Sequence, residues 1–552
     1  MSDQKKNKRA CAIGCSFELM VSALLLSIPV TACAQKDAGR GGDVPSDIRA
    51  VMEKPLYHGA TWGMRVIDIE SGRTLIDLNP DRHFFIASVR KVFTVGELMD
   101  KVGPWHRYNT PVYRQGKVKR QGILQGDLIL VASGDLTMGG RTNPDGSIAL
   151  GAFDHNEANS LGNADITKPD PLAGYRSLAR QVAESGIKEI TGDVVIDDRL
   201  FKPYEYRREF EMRPIFVNDD LVDASINPAA QGALASLHHR PVSEALAVVN
   251  EIEMTAPGTP AKIEPELPSC IGEPECSTTL IGTLPVGYKP PLTHRYPLLR
   301  TIRITQPSNY ARTVFIEALR AAGVQVKAAT VEPNPTDLLP TKDCYDAAAK
   351  VTELRALHYT DDAKFVMKVS YNIGADTSLL LWGLTEGAAD MEAALAAEKR
   401  NLRKNYGVSH HDYTFLDGSG GGDSTATNEA VTHFLTEMYT HPDFAEYHAS
   451  FPILGVDGSL ATVTDFESDA SLAPARGQVY AKTGTYVGAS SNGTPELKAQ
   501  ALGGYVTTRQ GRKLAFQLVV NGVPVDPEDL IGDVLKAFQD EGKISAILWR
   551  DY

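Results

Sequence analysis

Two matching β-hairpins, one near each end of this 552-residue chain, constrain its fold more than any other feature. Residues 61–69 alternate in polarity, and a turn separates them from a second strand at 74–78. Residues 500–508 and 513–521 repeat the arrangement. Alternation of this kind is typical of half-buried strands. The two ends of the chain are therefore predicted to share one antiparallel sheet.

Helices are predicted to cover this sheet. After the last hairpin, Asp526 is a candidate cap and Pro527 a candidate first helical residue, and apolar residues follow at helical spacing. Residues 92–99 form another apolar helical run. The expected fold class is therefore α+β.

The middle of the chain has a different character. Residues 106–340 contain short β-like runs separated by loops rich in proline and glycine, such as 256–268, and one helix is predicted at 310–322. The predicted strands are 127–131, 193–196, 247–254 and 299–304. We interpret this region as a mostly β insertion of one or two small domains. Residues 48–105 and 341–552 then form one discontinuous domain.

The first 47 residues are unlike the rest. A basic start and a short apolar stretch predict a signal peptide over residues 1–32 and export to the periplasm or cell envelope. Ala32-Cys33-Ala34 fits ordinary cleavage, whereas residues 30–33 resemble a bacterial lipobox in which Cys33 would carry a membrane lipid anchor. Both interpretations stay open. Residues 33–47 are predicted to be a tether.

Charge and cysteine content exclude some classes of protein. With 69 acidic and 56 basic residues, the chain is not expected to bind nucleic acid. Six cysteines are too few for a disulfide scaffold. Cys270 and Cys276 are candidates for a small-loop disulfide, and no histidine lies close enough in sequence to favour a metal site there. Cys344 is expected to be a buried thiol.

Three short motifs carry candidate chemistry. In the first, Ser88 and Lys91 are three residues apart at the start of a helical run, so they share a face. A serine hydroxyl needs a base to become a nucleophile, and a lysine can be that base only when its pKa is lowered. Alone the pattern is weak, since about two such matches arise by chance in a chain of this length.

The other two motifs lie in the C-terminal half. Ser370-Tyr371-Asn372 places a hydroxyl and an amide two residues apart in a predicted loop, although serine and asparagine are also common in ordinary turns. Residues 482–485, Lys-Thr-Gly-Thr, read as a strand whose glycine lets a ligand approach and whose lysine and threonine suit a carboxylate. An exposed strand lysine is the alternative.

In this order the motifs resemble the penicilloyl serine transferase signature of S-x-x-K, S-x-N and K-T-G. Half of the chain separates the first two motifs, and this large insertion resembles the D-alanyl-D-alanine carboxypeptidase/endopeptidase family, the low-molecular-mass class C penicillin-binding proteins. Segments 126–135 and 191–198, and the Asp-Gly loops at 416–420 and 454–460, fit the same family. Tyr371 departs from it, because aspartate is common there.

The resemblance implies a serine β-lactamase/DD-peptidase-like fold and a serine peptidase acting on peptidoglycan stem peptides, with β-lactam antibiotics as covalent inhibitors. Ser88 would be the nucleophile and Lys91 its base, with the pKa of Lys91 lowered partly by Lys482. Ser370 would pass a proton to the departing amine, and Asn372 would orient the acyl-side amide. No metal or organic cofactor is implied, and the oligomeric state is not indicated.

The remaining implied roles concern the strand motif and one loop. Lys482 and Thr483 would bind the terminal carboxylate, Gly484 would permit its approach, and the backbone N–H of Thr485 would join that of Ser88 in the oxyanion hole. Asp135 is a candidate for the substrate pocket, with a plain turn as the alternative. A serine β-lactamase on the same fold and a catalytically silent peptidoglycan-binding protein are the competing functions.

Overall fold

The computed structural model of the protein describes residues 42–490 and 492–552. The predicted signal peptide, Cys33 and most of the predicted tether lie outside these residues. The end of that tether belongs to the fold, because the N–H of Gly42 donates to the carbonyl of Leu75 at 3.0 Å. Within the described ranges, no helix has the length and apolarity needed to cross a membrane.

The helices alternate with strands along the chain. The helices are α1 (Ser46–Met52), α2 (Lys91–Val102), α3 (Ala158–Leu161), α4 (Ala173–Glu184), α5 (Pro307–Ala321), α6 (Tyr359–Lys368), α7 (Asn372–Thr385), α8 (Met391–Asn405), α9 (Asn428–Tyr439), α10 (Phe444–Ala449) and α11 (Leu530–Asp551). The strands are β1 (Thr61–Asp68), β2 (Arg73–Leu78), β3 (Phe84–Phe85), β4 (Asn109–Val118), β5 (Ile123–Val131), β6 (Glu189–Ile190), β7 (Val194–Asp197), β8 (Tyr204–Tyr206), β9 (Phe210–Met212), β10 (Leu221–Asn227), β11 (Ser236–Arg240), β12 (Ala247–Thr255), β13 (Lys262–Pro265), β14 (Ser277–Pro285), β15 (Leu298–Arg303), β16 (Gln325–Val326), β17 (Lys350–Arg355), β18 (Tyr413–Thr414), β19 (Thr425–Ala426), β20 (Val479–Ala489), β21 (Pro495–Thr507), β22 (Lys513–Asn521) and β23 (Val523–Pro524).

The two terminal hairpins form one antiparallel sheet, as predicted. Its order is β2-β1-β22-β21-β20, with β23 paired to β21. β1 pairs directly with β22, so Met64 lies opposite Leu518 although the two residues are near opposite ends of the sequence. β22 is buried along almost its entire length because α11 packs on one face of the sheet and α9 on the other. The sheet therefore has a hydrophobic core on each of its two faces.

The C-terminal helix begins later than the sequence predicts. It starts at Leu530 and not at Pro527. The Asp526 side chain accepts from the N–H of Glu528 at 2.9 Å, which makes a turn before the helix and not a cap on it. The predicted helix at 310–322 is confirmed as α5.

The inserted region leaves and re-enters the sheet domain through adjacent strands. β4 follows α2, and β17 pairs antiparallel with β4 just before α6. The inserted region was predicted to end at residue 340; we propose that it extends over 106–355, because β17, which pairs with β4, ends at Arg355. One predicted loop, 256–268, is also wrong in part, since it contains β13.

The region proposed as the insertion contains three cysteines, of which Cys276 is buried. Cys270 and Cys276 are joined by a disulfide. Cys344 is exposed, so the expectation of a buried thiol is wrong. It follows β16 in the long connection to β17, where little of the chain packs over it.

Part of the insertion packs into the helical layer of the sheet domain. Tyr206, Phe210 and Met212, from the β8–β9 hairpin, are buried in the same core as Phe93 of α2 and Leu380 of α7. The insertion is therefore fixed against the helices that carry the first two motifs.

Candidate active site

Ser88 lies in a short 3-10 turn, Ala87–Arg90, that leads directly into α2 at Lys91. The sequence placed Ser88 at the start of the α-helix, whereas the helix begins three residues later. The pairing with Lys91 survives because residues i and i+3 eclipse one another in a 3-10 turn. Ala87, just before the serine, has a φ of 45°, a strained conformation for a residue with a side chain.

Lys91 is fully buried, whereas Ser88 is only half-buried. Its Nζ lies 2.7 Å from Ser88 Oγ, 2.6 Å from Asn372 Oδ1 and 3.0 Å from the carbonyl oxygen of Ser419. The two carbonyl oxygens can only accept hydrogen bonds. A neutral Lys91 amine therefore donates both of its hydrogens to Asn372 and Ser419. Its lone pair is left facing the Ser88 hydroxyl.

The surroundings of Lys91 favour this neutral form. Burial, and then the positive charge of Arg207, lower the pKa of Lys91 to about 7, against the opposing effect of Asp376, Asp417 and Glu157. Lys482 was predicted to lower the pKa of Lys91 in part. The two largest causes of the shift are burial and Arg207, a residue of the inserted region. The pKa of Lys482 is itself held well below its usual range by burial and by Lys91.

The second and third motifs meet beside this pair. Lys482 is fully buried in β20, and its Nζ donates to Ser370 Oγ at 2.9 Å and to the carbonyl of Thr483 at 2.7 Å. Ser370 has a φ of 64° and lies two residues before Asn372, the first residue of α7. Tyr371 turns away into the core, where its ring stacks on Phe365 with centroids 4.5 Å apart. The side chain of Tyr371 is therefore part of the core.

β20 is the edge strand of the main sheet, and it packs directly on the Ser88 turn. A Cβ added to Gly484 would lie 2.4 Å from the Ile86 carbonyl oxygen and 3.2 Å from the Ser88 nitrogen. Glycine is required there for this close approach. Thr483 Oγ1 lies 2.8 Å from Ser459 Oγ, and Thr485 Oγ1 donates to Gln500 Oε1 at 3.0 Å.

The two Asp-Gly loops complete the walls of the site. The loop at 416–420 is tied to α2, because Thr94 Oγ1 donates to the carbonyl of Gly418 at 2.7 Å, and this brings the Ser419 carbonyl to Lys91. The loop at 454–460 supplies Ser459 to Thr483. Both loops were noticed in the sequence, but their contacts depend on the fold.

The family model of the D-Ala-D-Ala carboxypeptidase 3 (S13) family matches residues 44–533, which is most of the chain. The chain belongs to the S13 family. The prediction of a peptide hydrolase related to D-Ala-D-Ala carboxypeptidases is confirmed at this level.

Curated relatives of this S13 protein agree over most of their length. A D-alanyl-D-alanine carboxypeptidase of an Actinomadura species is 26% identical over 542 residues, which cover 93% of this chain and 87% of that protein. The D-alanyl-D-alanine carboxypeptidase DacB of Haemophilus influenzae is 23% identical over 498 residues, with 85% of this chain and 87% of that protein covered.

Solved structures share the fold. Penicillin binding protein 4 (dacB) from Haemophilus influenzae has a TM-score of 0.65 at 20% identity, with 90% of this chain and 98% of that chain covered. A second structure of it, complexed with a β-lactam, has a TM-score of 0.63 at 19% identity and covers 91% and 99% of the two chains. The predicted α+β, DD-peptidase-like fold is confirmed.

The other candidate site residue of this S13 protein, Asp135, does not face an open pocket. It is 1% exposed, and its Oδ1 accepts from the N–H groups of Thr137 and Met138 at 3.0 and 3.1 Å. These bonds give it the turn role that the sequence analysis named as the alternative.

Sequence reasoning missed two charged residues that the insertion brings to the S13 site. Asn372 Nδ2 donates to Glu157 Oε1 at 3.4 Å, and Arg207 is the charged neighbour that most lowers the pKa of Lys91. Glu157 lies in a connecting segment with no motif around it. Arg207 and Arg208 occupy the tip of the β8–β9 hairpin with φ values of 49° and 62°, and an Arg-Arg pair gives no sequence signal for such a turn.

A buried cluster near Glu157 has the ligand types of a metal site. Asp154, His155 and Asp219 have ligand atoms within 4.8 Å of one another. The guanidinium of Arg141 hydrogen-bonds to both carboxylates, however, and His155 bridges Asp219 and Asp223 at 2.6 Å on each side. The carboxylates are thus neutralised by protein cations, and we assign the cluster a structural role.

Proposed function

We propose that this protein is a serine DD-peptidase that cleaves the terminal D-Ala-D-Ala bond of peptidoglycan stem peptides through an acyl-enzyme on Ser88. The observation that carries the proposal is the hydrogen bonding of Lys91. Its amine has two carbonyl acceptors and the Ser88 hydroxyl within 3.0 Å, so the neutral amine is oriented to take the serine proton. The protein belongs to the D-Ala-D-Ala carboxypeptidase 3 (S13) family, and this membership supports the choice of D-Ala-D-Ala as the bond that is cleaved.

In the acylation step, Ser88 Oγ attacks the carbonyl carbon of the penultimate D-Ala while its proton passes to Lys91. The carbonyl oxygen becomes negative and is stabilised by the backbone N–H groups of Ser88 and Thr485. One such donor is typically worth about 3 kcal/mol. The C–N bond then breaks, a proton reaches the departing amine through Ser370, and D-Ala leaves. Water hydrolyses the ester by the reverse proton path.

Lys482 and Thr483 bind the carboxylate of the terminal D-Ala in this proposal. Burial, and then the charge of Lys91, lower the pKa of Lys482, and an incoming carboxylate opposes this shift because an opposite charge raises the pKa of an amine. The charged pair then lies next to Ser370, where the leaving amine must receive its proton. Lys482 thereby links binding of the substrate carboxylate to protonation of the leaving amine through Ser370.

Cleavage of D-Ala-diaminopimelate cross-links is the second activity we propose for the same site. We also propose export to the cell envelope, which the predicted signal peptide over residues 1–32 supports. β-Lactams would acylate Ser88, because they present a strained amide next to a carboxylate. Incubation of the mature protein with purified cross-linked muropeptides tests this, with released D-Ala and monomers followed by mass spectrometry. Absence of both products would contradict the proposal. Fast turnover of a chromogenic β-lactam without peptide cleavage would identify a β-lactamase instead.

A further inference from the structure

Glu157 is a carboxylate of the inserted region that reaches the catalytic motifs. Its Oε1 accepts from Asn372 Nδ2 at 3.4 Å, and among the described residues this is the hydrogen bond its side chain makes. It has no ion-pair partner within 4 Å in that part of the chain. The acyl-transfer steps above do not use it.

The backbone around Glu157 is held firmly in place. It ends a short 3-10 turn, His155–Glu157, whose N-cap Asp154 accepts from the N–H of Asn156. Asp154 is bound by Arg141, and His155 is clamped between Asp219 and Asp223. A residue supported by so many buried charges can fix the geometry of its neighbour.

A carboxylate next to an asparagine amide decides which way the amide points. Glu157 can only accept when ionised, so the NH₂ group of Asn372 must face it and the carbonyl Oδ1 must face Lys91. In the opposite orientation, oxygen would face carboxylate, and the NH₂ group would compete with Ser88 for the lone pair of Lys91. The second hydrogen of the NH₂ group stays available for a substrate carbonyl.

We propose that Glu157 is a positioning residue that fixes the amide of Asn372, and through it the lone pair of Lys91 toward Ser88. The inference rests on the proposed function, since it concerns the base of that reaction. It gives the insertion a role in the chemistry of a site whose other motifs lie outside it.

The charges around Glu157 and Lys91 determine how the acylation rate is expected to depend on pH. Glu157 faces Arg207, Lys91, Asp154 and Arg303, and burial raises its pKa. Lys91 faces Arg207, Asp376, Asp417 and Glu157, and it also interacts with Lys482. Removal of the Glu157 charge takes away a group that raises the pKa of Lys91. The acid limb of the acylation rate should then move to lower pH.

The test measures the rate of acylation by a fluorescent penicillin across pH 5–9 in the full-length mature protein. In Glu157→Ala the plateau rate should fall about tenfold, the value of one lost hydrogen bond. In Glu157→Gln, whose amide can still accept from Asn372, the plateau should return to within about twofold of the wild type. The acid limb should move to lower pH in both variants. Glu251→Gln, an exposed change in β12, is the control and should match the wild type.

Two results would overturn the inference. One is a Glu157→Ala variant with the wild-type plateau and pH profile. The other is a Glu157→Gln variant that acylates normally but accumulates acyl-enzyme, which would make Glu157 a base for deacylation and not a positioning residue. Failure of the wild-type protein itself to acylate would refute the proposed function, so the two failures are distinguishable.

Discussion

Lys91 Nζ lies 2.7 Å from Ser88 Oγ although the lysine is completely buried and the serine is accessible. The fold thus hides the base and leaves the nucleophile open to a ligand. Water cannot easily protonate the amine, and the hydroxyl beside it is the group that a substrate meets. This one relationship determines most of the behaviour expected of the site.

The first prediction concerns the acid limb of the reaction. Lys91 must be neutral to act as a base, and its pKa is about 7, so the acylation rate should rise with pH and level off above neutrality. Arg207→Ala removes a positive charge that lowers this pKa, and the limb should move to higher pH. Arg208→Ala, the neighbouring arginine, is the matched control. Penicillin acylation rates across pH 5–9 measure the limb, and equal profiles for all three proteins would contradict the assignment.

Removal of the base itself gives a second prediction. Lys91→Met should lower the acylation rate by about 10²–10⁴-fold, the usual worth of a general base. The variant keeps an unbranched side chain of similar length in a buried position, so the fold should be retained. Thermal unfolding checks the fold and stopped-flow labelling checks the rate. A variant that labels at the wild-type rate would exclude Lys91 as the base.

The third prediction tests recognition of the substrate carboxylate. Lys482→Ala should lower kcat/KM for a D-Ala-D-Ala peptide by about 10–100-fold, since hydrogen bonds to charged groups are worth about 1.5–3 kcal/mol. An otherwise identical peptide with an amidated C-terminus lacks the carboxylate. Wild-type protein should therefore discriminate strongly between the two peptides, and the variant should discriminate much less. Discrimination that survives in the variant would place carboxylate binding elsewhere.

A fourth prediction follows from the contact between β20 and the nucleophile turn. A methyl group at position 484 would meet backbone atoms, with the Ile86 oxygen at 2.4 Å, so Gly484→Ala must push the strand away from Ser88. Acylation should fall at least about tenfold, because misplacement by a fraction of an ångström is costly at a reacting centre. Gly488→Ala in the same strand meets only the flexible side chain of Lys498 and should have little effect. Comparable rates in the two variants would argue against close packing at Gly484.

The fifth prediction concerns stability. The carboxylates of Asp223 and Asp154 overcome the effect of burial and raise the pKa of His155 to about 10, so this histidine is charged in the folded protein. His155→Asn should lower the free energy of unfolding by about 3–5 kcal/mol, the usual cost of removing one partner from a buried ion pair. Chemical denaturation measures the difference, with the exposed His238→Asn as the control.

The pH dependence of that difference has a definite sign. A group whose folded pKa is raised stabilises fully below its unfolded pKa, here 6.5, and loses its contribution as the pH rises through the folded value. The gap between wild type and His155→Asn should therefore be widest near pH 6 and narrow toward pH 10. A gap that is constant over this range would mean that His155 is not charged in the folded state.

The polarity pattern was enough to predict the main sheet. β1 alternates in burial and β22 is buried almost throughout, and both patterns continue over long runs of residues that fit a strand. The same kind of pattern was not enough to predict where the insertion ends. β17 follows a long connection and is buried at none of its positions, so its membership of the insertion depends on pairing with β4. The start of α11 was misplaced for a related reason, since Asp526 and Pro527 suit a turn as well as a helix start.

The motif residues of the site were visible in the sequence because their types and order are specific. Glu157, Arg207 and the carbonyl of Ser419 were not. A backbone carbonyl has no sequence signature, and Glu157 and Arg207 reach Lys91 from parts of the insertion that only the folded chain brings together. The part that Arg207 plays in the low pKa of Lys91 could therefore not be predicted from the sequence.

The most direct test of the central claim is to locate the acyl group. The mature protein is incubated with penicillin, digested, and analysed by tandem mass spectrometry, with Ser88→Ala treated in parallel. The account predicts one adduct on the Ser88 side chain in the wild-type protein and none in the variant. An adduct on another residue, or labelling that persists in Ser88→Ala, would contradict it.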